Sequence, residues 1–167
     1  MRRAACSENG RRAIGVVAAM TLSACTTFAA ITPSPLPSEA EARGHLAQIV
    51  ALARAGEFEA LCDLGSGNCE QALDDAGRDA VPPAAPLVVG TRRIEPERLD
   101  SNLWSGGGFV LQVCGIDGAG RPYSSDVLVF RDGDRLLAIE AVYWAGIRIA
   151  SGSTVGAATT PFPGCPT

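Results

Sequence analysis

The sequence contains no lysine and a single histidine, and these two features exclude several kinds of chemistry. All 14 basic residues are arginines, so a Schiff-base lysine, a phosphate-binding P-loop lysine and a lysine general base are not available. One histidine cannot build a multi-histidine metal site. The formal net charge is −4, so we expect no strongly cationic surface and no nucleic-acid partner.

Charged residues are also few, at 19%, whereas apolar residues make up 47% of the chain. This composition is typical of a protein that folds around a hydrophobic core rather than of a disordered one. A length of 167 residues predicts one domain.

The first 24 residues have the features of a secretory signal. Residues 1–12 contain four arginines and one acid, and residues 13–24 contain no charge. A basic segment followed by a short apolar run and small residues is typical of a signal peptide. The run Leu-Ser-Ala-Cys at residues 22–25 resembles the bacterial lipobox. That resemblance implies a diacylglyceryl group on Cys25, cleavage just before it, and a further acyl chain such as palmitate on the new amino terminus.

The alternative interpretation of this segment is an uncleaved membrane anchor, because residues 13–38 carry no charge. A membrane-spanning helix needs roughly 20 strongly apolar residues, whereas this stretch is rich in small and hydroxyl residues, and three prolines break its second half. Cleavage would change the net charge to −7, which an anionic membrane repels. We therefore expect an extracytoplasmic protein held at the cell membrane by the lipid on Cys25. The pair Arg11-Arg12 leaves the export route open.

Four cysteines remain once Cys25 and the signal residue Cys6 are set aside: Cys62, Cys69, Cys114 and Cys165. An even number in an exported chain predicts two disulfides, for which three connectivities exist. We favour Cys62–Cys69, which would join one helix end to the next helix start, and Cys114–Cys165, which would attach the tail to the body. Metal or redox chemistry is the alternative, but the spacing of the first pair fits neither a CxxC motif nor a zinc knuckle.

The rest of the chain divides into a proline-rich tether (25–37), a folded domain (38–150) and an extended tail (151–167). Ser38 and Glu41 form a capping-box pattern that opens a first helix, and Gly56 ends it. A short second helix follows around residues 58–64. Asn68 and Gln71 predict a second capping box and a third helix that continues to about Asp79.

The hydrophobic period changes to two after this helix, which predicts β-strands. We expect strands over 87–94, 109–114, 123–131 and 135–144, with turns at 117–120 and 132–134. Helices followed by an antiparallel meander predict an α+β fold with the helices packed on one face of a curved sheet.

Three segments together carry a family resemblance: Ala-Arg-Ala-Gly-Glu-Phe-Glu-Ala-Leu-Cys at 53–62, Cys-Glu-Gln-Ala-Leu at 69–73, and the closing strand at 129–140. In this order they resemble the NTF2-like (cystatin-like cone) lipoproteins and membrane-anchored proteins of high-GC bacteria, over roughly residues 38–145. The resemblance implies a cone whose mouth holds a small ligand. The family includes ketosteroid isomerase and many non-catalytic accessory domains.

An isomerase of that fold would need a carboxylate base facing a hydrogen-bond donor in an apolar cone. Asp126 or Glu140 could supply the carboxylate, and Tyr123 or Tyr143 could supply the donor. The single histidine, His45, is expected at the boundary of the first helix, half covered by the sheet.

Three further groups of residues have mainly structural interpretations. Leu137, Ile139 and Tyr143 fall on one face of the last strand by parity, and would line a binding surface if that face is concave. Trp104 is expected to plug one end of the core, and Trp144 is expected in the core. Turn chemistry explains the aspartates of the two turns, which lack the acid spacing of a calcium loop.

Taken together, these patterns predict a lipid-anchored cell-envelope accessory domain without catalytic residues. It would bind a partner protein in the envelope or a small apolar ligand, and the alternative is an NTF2-fold enzyme of the ketosteroid-isomerase type. We expect no cofactor and no metal. The residues that bind the ligand and the oligomeric state stay open.

Overall fold

The computed structural model describes most of the chain after the tether. The described residues are 35–100, 103–104, 106–149, 155–157 and 162–166. The predicted signal peptide, Cys25 and most of the tether lie outside the described residues. Among the described residues, no helix has the length and apolar character needed to span a membrane.

Three α-helices come first: α1 (Glu39–Ala55), α2 (Phe58–Asp63) and α3 (Cys69–Ala76). The capping box that opens α1 is confirmed, because the Ser38 hydroxyl accepts from the Glu41 amide at 3.2 Å and the Ser38 amide donates to the Glu41 carboxylate at 2.8 Å. Gly56 ends the helix in the left-handed conformation, with φ 74°, which glycine adopts without the steric cost of a Cβ.

The predicted start of α3 after Asn68 is confirmed, but its capping box and its predicted end are wrong. The Asn68 side chain makes no capping hydrogen bond, and the helix ends at Ala76 instead of Asp79. Gly77, with φ 88°, breaks the helical backbone, and Arg78–Ala80 then forms a single 3-10 turn. The glycine therefore overrides the helical pattern that continues through the sequence.

The described residues also form nine strands. They are β1 (Gly65–Ser66), β2 (Leu87–Ile94), β3 (Arg98–Asp100), β4 (Leu103–Trp104), β5 (Gly108–Ile116), β6 (Pro122–Asp132), β7 (Arg135–Ile139), β8 (Ile147–Ile149) and β9 (Val155–Ala157). The main sheet has the order β1-β7-β6-β5-β2, in which the short β1 pairs parallel to β7 and every other pair is antiparallel. The α+β class and the meander are confirmed. β3 pairs with β4, and β8 pairs with β9, which lies in the expected tail.

The last strand of the meander ends earlier than predicted. β7 stops at Ile139 and does not continue to Trp144. Glu140 has a positive φ of 64°, which turns the backbone out of the extended conformation. The Tyr143 and Ala145 amides then donate to carbonyls two and three residues earlier, so this segment forms turns.

One face of the main sheet packs against α1, and we call it the helix face. It contributes the fully buried Leu111, Val113, Val127, Val129 and Ala138 to a cluster with Ala42, Leu46, Ile49, Val50 and Ala53 of α1. The ion pair between Arg131 of β6 and Glu41 joins the two layers at the start of the helix. Apolar side chains therefore fill the space between α1 and the sheet.

The opposite face packs against β8 and the C-terminal segment, and we call it the tail face. Its apolar cluster is smaller, with Val110, Leu128 and Ile149 at the centre. Leu137 and Ile139 lie on this face, opposite Phe130 and Leu128 of β6. Tyr143 belongs to the helix-face cluster. The predicted common face of these three residues is therefore wrong, because the chain leaves the strand at Glu140.

Candidate functional site

One concave surface in the described part of the chain is a groove between α1 and the segment that leads into β2. Its volume is about 690 Å³. We call it the α1 groove. It is lined by Arg43, Leu46, Ala47, Val50, Ala51, Arg54 and Ala55 of α1, and by Ala85, Pro86 and Val88.

The sequence of α1 explains why the groove exists. Residues four apart lie one above the other on a helix, so Ala47, Ala51 and Ala55 form one row and Leu46 and Val50 belong to the row beside it. The leucine and valine point toward the sheet and are buried. The alanines are exposed, and their small side chains leave a depression along the helix. The proline-rich segment after α3 forms the other wall.

Two arginines supply the charge of the groove. Arg43 and Arg54 are the only charged residues in its described lining, and at 1.5 Å per residue they lie about 16 Å apart along the helix axis. Arg43 forms an exposed ion pair with Glu39 at 2.8 Å. Among the described residues Arg54 has no ion-pair partner. The walls between the two arginines are apolar.

The two tyrosines proposed as donors lie together inside the helix-face cluster. Their ring centroids are 6.0 Å apart, and neither hydroxyl has a hydrogen-bond partner among the described residues. Burial raises the pKa of Tyr143 to about 12, against the opposing charge of Arg54. Burial also raises the pKa of Tyr123, with smaller contributions from Tyr143 and Asp117. Both phenols are therefore neutral at ordinary pH.

Asp126 is buried on the tail face, whereas Tyr123 is buried on the helix face. The carboxylate is 3% exposed, and its Oδ2 accepts a hydrogen bond from the Ile149 amide at 2.9 Å. Arg92 donates to the carbonyl of the same residue at 3.1 Å. Asp126 thus attaches β8 to the sheet, and the sheet separates it from Tyr123.

Glu140 is half-buried at the end of β7, in the left-handed backbone conformation described above. Burial raises the pKa of its carboxyl group. It forms no hydrogen bond with Tyr123 or Tyr143, whose hydroxyls lack partners in the described chain. The structure therefore places Asp126 and Tyr123 on opposite faces of the sheet, which is against that pair, and shows no hydrogen bond between Glu140 and either tyrosine among the described residues.

His45 is 4% exposed, so its predicted position at a half-covered boundary is wrong. Its Nε2 lies 3.2 Å from the Leu64 carbonyl, which also accepts from the Ala138 amide at 2.9 Å. Burial lowers the pKa of the imidazole, against the effect of this contact. The Leu64 carbonyl, just after α2, therefore contacts both His45 of α1 and the Ala138 amide of β7, and it connects the helical layer to the sheet.

The turn and tryptophan residues have structural roles. The Asp117 carboxylate accepts from the amides of Ala119 and Arg121 and pairs with the Arg121 guanidinium at 2.9 Å. Burial raises its pKa, but these hydrogen bonds outweigh burial and the net pKa is lowered. Trp144 is buried, as predicted, and donates to the Gly77 carbonyl at 3.3 Å. The Trp104 side chain lies outside the described residues.

Both predicted disulfides are present. Cys62–Cys69 joins the end of α2 to the start of α3, and Cys114–Cys165 joins β5 to the C-terminal segment. Within the part of the chain that the structure describes, no group of three or more histidine, cysteine, aspartate or glutamate side chains is arranged to hold a metal ion.

Comparison with known proteins identifies no relative. No protein-family model matches the chain, and no curated protein or solved structure is significantly similar to it. The resemblance to NTF2-like lipoproteins therefore stays a prediction from the order of the segments and the cysteine pair.

Proposed function

We propose that this protein is a lipid-anchored accessory domain of the cell envelope, attached through Cys25, that binds a small apolar ligand and catalyses no reaction. The observation that carries the proposal is the α1 groove. Its volume of about 690 Å³ lies within the range of roughly 300–1,000 Å³ that is usual for ligand sites. The wall residues between its two arginines are alanine, leucine, valine and proline.

The location of the groove places the ligand outside the sheet–helix core. An NTF2-like cone, as the sequence suggests, would offer its ligand the space between the helix and the sheet. Here apolar side chains from both layers occupy the interior of that space, whereas the α1 groove opens at its edge, between α1 and Val88 of β2. We propose that the chain keeps the helix-on-sheet arrangement of the cone and binds its ligand at this edge of the helix.

The placement of the acids supports a non-catalytic role. General acid–base catalysis needs a titratable group within hydrogen-bond reach of the reacting atoms. Asp126 accepts a hydrogen bond from a backbone amide on the tail face, and the part of the α1 groove lining that the structure describes contains no carboxylate and no histidine. Binding requires only the apolar walls that the groove has.

The lipid anchor is tested by the intact mass of the protein extracted from membranes with detergent. We expect loss of residues 1–24 and the added mass of a diacylglyceryl group at Cys25. Replacement Cys25→Ala should leave an uncleaved precursor. A full-length chain in the membrane, or a water-soluble chain that starts elsewhere, would overturn this part of the proposal.

Ligand binding is tested with a photoactivatable dodecanol, which is apolar and uncharged, on the exported chain in zwitterionic nanodiscs. Trypsin cleaves after Arg43, Arg54, Arg78 and Arg92, so peptides 44–54 and 79–92 report the two walls separately. We expect both peptides to be labelled. Ala51→Trp should fill the groove and abolish the labelling, whereas Ala40→Trp is the control because Ala40 is also exposed on α1 but does not line the groove. Labelling spread evenly over the surface, or unchanged by Ala51→Trp, would contradict the proposal.

A further inference from the structure

We infer that the α1 groove binds a single-chain amphiphile with an anionic head group, and that the head group contacts Arg54 while the apolar chain follows α1 toward Arg43. This inference rests on the proposed function and specifies the chemistry of its ligand. It is carried by the distribution of charge in the groove and by the partners of the two arginines.

The groove is positive in a protein that is acidic overall. The whole sequence has 18 acids against 14 arginines, but the described lining of the groove has two arginines and no acid. A cationic head group would therefore be repelled there, and a neutral ligand would leave the charge of Arg54 without a partner among the described residues. A negative head group matches the local field.

The two arginines are not equivalent. Arg43 lies four residues after Glu39 and pairs with it at 2.8 Å, so its charge is largely balanced within the protein. Arg54 has no ion pair among the described residues. The charged site that is open to a ligand is therefore at the Arg54 end of the groove.

The end of α1 does not require the Arg54 side chain as a cap. Arginine in the last helical turn can satisfy free carbonyls, but backbone amides already do so here. The Gly56 amide donates to the Ala53 carbonyl at 3.1 Å, and the Glu57 amide donates to the Leu52 carbonyl at 3.0 Å. The donors of the guanidinium group are thus available for a carboxylate or a phosphate, which arginine binds in bidentate geometry.

The apolar part of the groove fits one chain. Between the arginines the floor consists of Leu46, Val50 and the alanine row, over about 16 Å along the helix. Arg43, at the other end of the groove, already pairs with Glu39 and therefore needs no second anion. The site therefore has one polar end and one apolar length, as a single-chain amphiphile has.

The test compares photoactivatable dodecanoate with photoactivatable dodecanol of equal chain length, on the exported chain in zwitterionic nanodiscs. We expect the carboxylate to label peptides 44–54 and 79–92 about three- to fivefold more than the alcohol, the ratio that an exposed ion pair provides. Arg54→Gln should reduce the ratio of carboxylate to alcohol labelling, measured in the same variant, to about one; in this variant the first peptide becomes 44–78. Arg93→Gln is the matched control, because it removes an exposed arginine outside the groove, and it should keep the ratio.

The outcomes separate this inference from the proposed function. If both probes label the wild type equally, the inference of an anionic head group is overturned and the proposed apolar site is retained. If neither probe labels the groove, both this inference and the proposed function are overturned. A ratio that survives Arg54→Gln but is lost in Arg43→Gln overturns the assignment of Arg54. Displacement of the probe by an acidic amphipathic peptide, but not by unlabelled dodecanoate, overturns the small amphiphile in favour of a protein segment.

Discussion

The two faces of the main sheet are stabilised in different ways. The helix face is covered by α1 through a large, continuous apolar cluster. The tail face is covered by short segments through a small cluster, the side-chain hydrogen bonds of Asp126 and Arg92 to Ile149, and the Cys114–Cys165 disulfide. A long amphipathic helix buries enough apolar surface to stay in place by packing alone, whereas a three-residue strand needs directional bonds and a covalent link.

The largest effect should come from the covalent link on the tail face. Replacing Cys114 and Cys165 together by serine should lower the free energy of unfolding by about 4 kcal/mol, because the bridge closes a loop of about 52 residues. The same replacement at Cys62 and Cys69 should lower it by about 2.5 kcal/mol, because that loop has about eight residues. Urea unfolding of both variants measures the difference. A larger loss for the short bridge would contradict the role assigned to the tail.

A matched pair of leucines compares the packing of the two faces. Leu111 is fully buried on the helix face, and Leu128 is 8% exposed on the tail face. Leu111→Ala should cost about 3 kcal/mol of unfolding free energy, and Leu128→Ala about 2 kcal/mol, because the cavity in the larger cluster is more completely enclosed. Denaturant unfolding monitored by the buried tryptophan checks both values. Equal losses would mean that the two faces pack equally well.

The hydrogen bond of Asp126 should contribute the next largest effect. Asp126→Ala leaves the Ile149 amide without its acceptor, and an unsatisfied buried donor costs about 1–3 kcal/mol. Asp126→Asn keeps the acceptor oxygen for the Ile149 amide, so exchange of that amide should stay slow, although its NH2 group replaces Oδ1, which has no hydrogen-bond partner among the described residues. Hydrogen exchange should show faster exchange of the Ile149 amide in the alanine variant. Unchanged exchange would show that β8 does not depend on this bond.

The smallest effect concerns the pH dependence of Glu140. Burial raises the pKa of this carboxyl above its ordinary value of 4.5, so the folded state holds the proton more tightly than the unfolded state does. The stabilisation is complete below the ordinary pKa and is lost as the pH rises through the raised pKa. Glu140→Gln should therefore be more stable than the wild type at about pH 7, with the difference vanishing below about pH 4.

Thermal unfolding across this pH range gives the measurement. Gln48→Glu is a suitable control, because Gln48 is exposed on α1 and a carboxyl group there should titrate with little effect on stability. A Glu140→Gln variant that matches the wild type at every pH would show that burial does not affect this carboxyl group.

The helix face was predictable from sequence to a large extent. The helical spacing of Leu46, Ile49 and Val50 indicates burial against a single partner, and the apolar run at residues 127–130 of β6 indicates a strand that is buried on both faces. The tail face was not predictable from the sequence, because the strands that cover it are too short to show a hydrophobic period. The end of β7 was missed because a positive φ at Glu140 has no local sequence signal, unlike the glycine that ends α1.

The candidate site was also missed, for a related reason. The hydrophobic period of α1 marks the residues that are buried, and the groove is formed mainly by the exposed alanines beside them. The row formed by Ala47, Ala51 and Ala55 was visible in the sequence, but only the position of the proline-rich segment turns that row into a groove. Asp126 and Tyr123 lie on opposite sides of the sheet, and Glu140 forms no hydrogen bond with Tyr123 or Tyr143.

The central claim is that an apolar ligand binds in the α1 groove, at the edge between α1 and β2, and not in the interior of the helix-face cluster. Amide chemical shifts of the ¹⁵N-labelled exported chain, recorded during titration with dodecanol, test it most directly. We predict that the shifts that change are concentrated in residues 43–55 and 85–88, while the amides of Tyr123, Glu140 and Tyr143 stay in place. The largest changes at Tyr123, Glu140 and Tyr143 would contradict the claim and favour the enzyme of the ketosteroid-isomerase type.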